Sequence, residues 1–75
     1  MEKIMPLFGE RLSELRKEKG QKQTEMAAFL GLTESHYQRM EYGVVNIPAL
    51  TLEKLADFFE VSTDYLLGRD DQRKP

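Results

Sequence analysis

The most constraining stretch of the chain runs from Gln23 to Glu41, where Ala27 precedes Gly31 by four residues, Leu32 follows at once, and Tyr37 and Met40 come five and eight residues later. Two short helices that cross steeply over a turn of about three or four residues need a small residue where they approach and a glycine able to take positive φ in the turn. Ala27 and Gly31 fill those places. Leu32 then plugs the angle between the helices, and Tyr37 and Met40 hold the second helix to a core. Glu34, Ser35, Gln38 and Arg39 are left on the opposite face, with His36 at its margin.

The rest of the chain is built around that pair. Apolar residues recur at three and four positions and never alternate with period two, which predicts an all-α chain of five helices. Helix 1 is expected over Pro6 to Lys19, with Phe8, Leu12 and Leu15 on one face and Gly20 as its left-handed stop. Helix 2 should run from Gln23 to Leu30, burying Met26, Ala27 and Leu30, and helix 3 from a Thr33 cap to Tyr42, closed by Gly43. Pro48 suits the first turn of helix 4, whose buried stripe is Leu52, Leu55, Ala56 and Phe59, up to Glu60. Ser62 caps a short helix 5 with Tyr65, Leu66 and Leu67, stopped by Gly68. The expected organisation is an N-terminal extension (1–5), one compact domain (6–68) and a polar C-terminal tail (69–75) that frays.

Composition narrows the chemistry. Seventy-five residues leave room for one domain near the lower limit of independent stability, so apolar packing must carry the fold. There is no cysteine for a disulfide or thiolate site, and the single histidine, His36, cannot hold a metal alone, so no metal or other cofactor is expected. With no phosphate-cradling glycine loop and no paired nucleophile and base, the chain is not read as an enzyme, and no small-molecule ligand is expected. No segment has the length of a signal sequence core or a membrane span, which predicts a cytoplasmic protein with no membrane partner. The formal net charge of −2 hides an asymmetry. Residues 11–23 hold five basic side chains against two acidic ones, whereas residues 50–68 hold one basic against four acidic.

These elements resemble, in order and spacing, the phage-repressor/Cro-like helix-turn-helix family, also called the xenobiotic-response-element family. The resemblance covers Phe8 to Gly68. It rests on Arg11-Leu12-Ser13-Glu14-Leu15-Arg16 with Gly20, Gln23 with Glu25-Met26-Ala27, and Leu30-Gly31-Leu32-Thr33. It continues through Arg39-Met40-Glu41-Tyr42-Gly43, Leu55-Ala56-Asp57, and Val61-Ser62-Thr63-Asp64-Tyr65-Leu66-Leu67-Gly68. What it implies is a lambda-repressor-like fold in which helices 2 and 3 form the helix-turn-helix, and a sequence-specific transcriptional regulator. Such a protein is expected to act as a repressor, binding a palindromic operator in double-stranded DNA as a homodimer.

Carried over by position, the resemblance makes Glu34, Ser35 and Arg39 base-reading residues in the major groove, and Gln38, on the same outward face, is read with them. Arg39 suits a bidentate contact to guanine, Glu34 can accept from a cytosine amino group, and Ser35 serves either partner. Lys22, Gln23, Thr33, His36 and Tyr42 surround them as phosphate contacts, with Gln23 also bracing the recognition helix. Arg16 and Glu41 match a largely buried structural salt bridge.

The chain also departs from the family pattern. Lys22 replaces the usual Ser or Thr cap, a loss of about 1 kcal/mol, and Tyr37 is bulkier than the usual Val or Ile. Val44 and Val45 replace basic residues and leave apolar surface near Ile47, while Glu34 puts a negative charge in the groove-facing helix. A second reading therefore stands beside the first: a protein-binding helical module, such as an antitoxin or partner-docking domain, using Val44, Val45 and Ile47. For the dimer of the first reading, the surfaces left over are helix 5 (Tyr65, Leu66, Leu67) and Met1, Ile4 and Met5.

Overall fold

The computed structural model describes residues 2–75, in which α1 (Pro6–Glu18), α2 (Gln23–Leu30), α3 (Glu34–Tyr42), α4 (Ala49–Phe59) and α5 (Thr63–Leu67) follow one another. No strand occurs among the described residues. The helix ends have local causes. Proline opens α1, where its missing N–H leaves no bond unmade. Thr33 Oγ1 accepts the His36 N–H at 3.1 Å, and Ser62 Oγ accepts that of Tyr65 at 2.9 Å, so α3 and α5 each begin on a side-chain cap. Gly31 ends α2 at φ 70°, a conformation that a side chain would strain. Glu60 does the same for α4 at φ 56° without being glycine, a departure worth about 1 kcal/mol of strain.

Two boundaries differ from expectation by one residue. α1 stops at Glu18, with Lys19 as its C-cap, because Gly20 turns left-handed at φ 73° and the Gln21 N–H closes back on the Arg16 carbonyl at 3.0 Å. Pro48 is the N-cap of α4 rather than a first-turn residue: it is extended, at ψ 147°, and its carbonyl accepts the Leu52 N–H at 3.0 Å.

All five helices contribute to one core, with Phe8, Leu12, Met26, Tyr37, Met40, Leu55 and Leu66 as its largest fully enclosed side chains. Leu30, Leu52 and Phe59, expected inside, are half-buried at its margin. Val45 and Ile47 turn inward and pack against the core as well, so the apolar surface expected around them shrinks. Leu50, 80% exposed, stands out instead. At Gly9 the backbones of α1 and α3 meet: a Cβ there would lie 2.3 Å from the Glu41 carbonyl oxygen.

Both flanking segments are fastened down. The N–H groups of Ile4 and Met5 donate to the Gly43 carbonyl at 2.8 and 2.9 Å. Met1 lies outside the described residues. The tail does not fray as expected: the Ser62 N–H donates to the Arg73 carbonyl at 2.9 Å, and the Arg73 guanidinium holds both Glu18 oxygens at 2.8 Å. Arg11 reaches across from α1 to the carbonyls of Tyr65 at 2.5 Å and Asp70 at 2.8 Å. Tyr65 gathers these arginines, whose guanidinium carbons lie 4.2 Å (Arg11) and 5.4 Å (Arg73) from its ring centroid. The tail thus has a charged and aromatic surface to dock on.

Candidate nucleic-acid interface

The turn between α2 and α3 closes on two backbone bonds, Gly31 N–H to the Ala28 carbonyl at 3.1 Å and Leu32 N–H to that of Ala27 at 2.9 Å. Ala27, Tyr37 and Met40 are buried behind it, and Leu32 is half-buried in the angle. The helical period then puts Glu34, Ser35, Gln38 and Arg39 outward, and all four are exposed. His36 is half-buried at the edge of that face. Glu34 sits in the first turn of α3, where the helix dipole favours a negative charge.

The residues expected around this face sit at helix ends. Lys22 and Gln23 stand at the start of α2, Thr33 caps α3, and Tyr42 ends it, exposed, with the Lys3 ammonium 4.6 Å from its ring centroid. Lys22 offers no side-chain cap, but Glu25 Oε1 accepts its backbone N–H at 2.7 Å, which recovers part of what the missing Ser or Thr would give. Thr33 Oγ1 is occupied as an acceptor, leaving its hydroxyl proton free to donate.

Behind the face runs a continuous hydrogen-bonded chain. Arg16 donates to Glu41 through Nε at 2.5 Å and Nη2 at 3.2 Å, with the two side chains only 12% and 7% exposed. Its Nη1 donates to the Gln21 carbonyl at 3.0 Å. Gln23 Nε2 donates to Glu41 at 3.1 Å, Gln38 Nε2 donates to Gln23 Oε1 at 3.3 Å, and Gln38 Nε2 also donates to Glu34 Oε2 at 3.3 Å. Burial alone would push the Glu41 carboxyl up, but Arg16 first, with the nearby Tyr37 hydroxyl and the Gln23 amide adding to it, outweighs burial and holds the carboxyl below the usual carboxylate value. The same hydrogen bonding to Glu41 holds the Arg16 guanidinium more firmly protonated. Burial also pushes the Tyr37 phenol up. Its hydroxyl is enclosed with no hydrogen-bond partner among the described residues.

A helix-turn-helix family model matches residues 12–66, which contain this whole arrangement. The chain belongs to the phage-repressor/Cro-like helix-turn-helix family. Within this helix-turn-helix domain, three curated proteins of Bacillus subtilis (strain 168) are similar over most of its length. The SPbeta prophage-derived uncharacterized HTH-type transcriptional regulator YonR is 46% identical over 61 residues, covering 81% of the chain and 56% of the relative. The HTH-type transcriptional regulator ImmR is 38% identical over 67 residues, covering 89% and 53%. The HTH-type transcriptional regulator AnsR is 38% identical over 65 residues, covering 87% and 56%. The chain spans about half the length of the curated relatives it matches.

Two features of the helix-turn-helix domain escaped sequence reasoning. One is Gly9, whose place inside a helical pattern was the available signal. The other is the Gln23–Gln38 link, which joins residues already singled out but depends on how α2 and α3 cross.

Proposed function

We propose that this domain is a sequence-specific DNA-binding regulator, a repressor that docks α3 in the major groove of a palindromic operator as a homodimer in the cytoplasm. The observation that carries the reading is the exposed row Glu34, Ser35, Gln38 and Arg39, braced from behind by the chain from Arg16 through Glu41 and Gln23. Lys22, Gln23, Thr33, His36 and Tyr42 flank that row and are proposed to meet phosphates. The relatives' names as transcriptional regulators support the same reading.

Dimerisation follows from size, because one short recognition helix covers too little DNA for specific affinity and half-sites are spaced about one turn (~34 Å). Tyr65 and Leu66 are core and cannot serve as that interface. Ile4, Leu7 and Leu67, 57%, 40% and 39% exposed, remain, with the Leu7 side chain lying against Gly68. The alternative of a protein-docking module loses ground because Val45 and Ile47 face inward.

Selection from a random DNA pool, followed by titration at two salt concentrations, tests the function. A preferred sequence should emerge, and affinity for it should fall steeply between about 50 and about 200 mM salt. Arg39→Ala should relax base preference at one position per half-site, while Lys22→Ala weakens binding to all sequences alike. Salt-independent affinity, or an Arg39→Ala variant with unchanged preference, would overturn the assignment. Sedimentation that shows a monomer at every concentration would remove the dimer.

A further inference from the structure

A free glutamine side chain reads adenine with both ends of its amide, giving an N–H to N7 and accepting from the N6 amino group. Gln38 is not free. Glu41 is a carboxylate and can only accept, which turns the Gln23 amide so that its nitrogen faces Glu41, at 3.1 Å. Gln23 Oε1 is thereby aimed at Gln38 and takes one amide hydrogen from it, at 3.3 Å. Glu34, another carboxylate, takes the other, also at 3.3 Å. Both donors of Gln38 are committed to the protein's own side chains at the exposed face, and its Oε1 is what remains. Gln23 keeps one amide hydrogen for a phosphate.

We infer that this chain of hydrogen bonds, anchored on the Arg16–Glu41 pair, makes the Glu34–Gln38 side-chain pair of the recognition helix acceptor-only. It reads the amino groups of adenine or cytosine and makes no contact to purine N7. Gln23 acts as a positioning residue for specificity: it sets the polarity of the Gln38 amide. The inference rests on the proposed major-groove docking of α3.

Atomic substitution in the DNA tests it. The probe is the sequence selected by the chain from a random duplex pool, and the position read by Gln38 is the base pair whose preference relaxes in Gln38→Ala. At that pair, removing the exocyclic amino group (purine for adenine, 2-pyrimidinone for cytosine) should weaken binding by about 5-fold or more, the lower end of a good base contact. Replacing purine N7 by carbon in the same pair should leave affinity within roughly twofold. In Gln23→Met one Gln38 hydrogen is released, and binding should become sensitive to N7 removal, an effect that a merely structural role for Gln23 does not produce. Equal losses from amino and N7 removal in the unaltered chain, or continued indifference to N7 in Gln23→Met, would overturn the relay while leaving DNA binding intact. If no sequence is selected, or Gln38→Ala relaxes no position, the relay falls, and in the first case so does the docking on which it rests.

Discussion

Two arginine–glutamate pairs fasten this molecule, both bidentate and different in surroundings. Arg16 holds Glu41 with two nitrogens, at 2.5 and 3.2 Å, and Arg73 holds Glu18 with two, both at 2.8 Å. The first pair is 12% and 7% exposed and joins α1 to the end of the recognition helix; the second is 44% and 52% exposed and ties the tail to α1. Water decides what each is worth. In solvent, screening and the entropy of two long side chains cancel most of the attraction. Inside, breaking one partner leaves an uncompensated charge, and the pair becomes a condition of the fold.

The largest effect should come from Arg16→Met, which leaves Glu41 enclosed and unpaired and should lower unfolding free energy by about 3 kcal/mol or more in urea titration. Its pH dependence should also change sign. With Arg16 present, the Glu41 carboxyl is held below its unfolded value of about 4.3, so its contribution is complete above that pH and is lost as pH falls through the folded value. With Arg16 gone, burial, the largest single influence on the carboxyl, is opposed only by the remaining neutral hydrogen bonds such as that from Gln23 and raises the carboxyl, so stability should increase as pH falls from about 7 to about 5. Parallel acid profiles for the two proteins would show that the pair does not behave as buried.

Arg16→Met combined with Glu41→Leu should regain most of that loss, because removing both charges removes the desolvation penalty. Stability without Glu41 should nevertheless come with weaker discrimination between the DNA sequence selected from a random pool and random DNA, measured side by side, since the chain to Gln23 and Gln38 has lost its anchor. Next in size is Tyr37→Phe. The enclosed hydroxyl beside this pair makes no hydrogen bond of ordinary geometry among the described residues, so its removal should leave stability unchanged or raise it by about 1 kcal/mol; a clear loss would mean that the hydroxyl bonds Glu41 in solution. The smallest effect belongs to Arg73→Ala, where any drop in melting temperature at low salt should vanish at ~0.5 M. A drop that survives would put the tail's backbone bond to Ser62 at the centre of its docking.

What was legible in the sequence follows the same division between local and long-range causes. Thr33, Ser62, Gly31 and Gly43 could be assigned to helix ends because caps and left-handed stops depend on a few neighbouring residues. Ala27, Tyr37 and Met40 could be turned inward from periodicity alone. The docking of Arg73 on Glu18 and Tyr65 could not be read, since its partners come from distant elements and the tail's own composition is that of a frayed end. Val45 and Ile47 looked like surface because a loop carries no period to give them an inner side. At the site, each residue of the Gln23–Gln38–Glu34 chain was visible as a polar side chain, but its donor and acceptor directions depend on the crossing of α2 over α3 and on the carboxylate at Glu41.

Gly9 has a mechanical consequence. Because α1 touches α3 there backbone to backbone, at the Glu41 carbonyl, that end of α3 rests on a contact with no side chain to compress. It behaves as the fulcrum of a lever whose far end is Glu34, about 10 Å along the axis at the rise of an α-helix. A tilt of roughly five degrees about the fulcrum swings Glu34 through about 1 Å, beyond the ~0.5 Å tolerance of a hydrogen-bonding site. One methyl group at position 9 would therefore be felt as lost discrimination at the opposite end of the recognition helix.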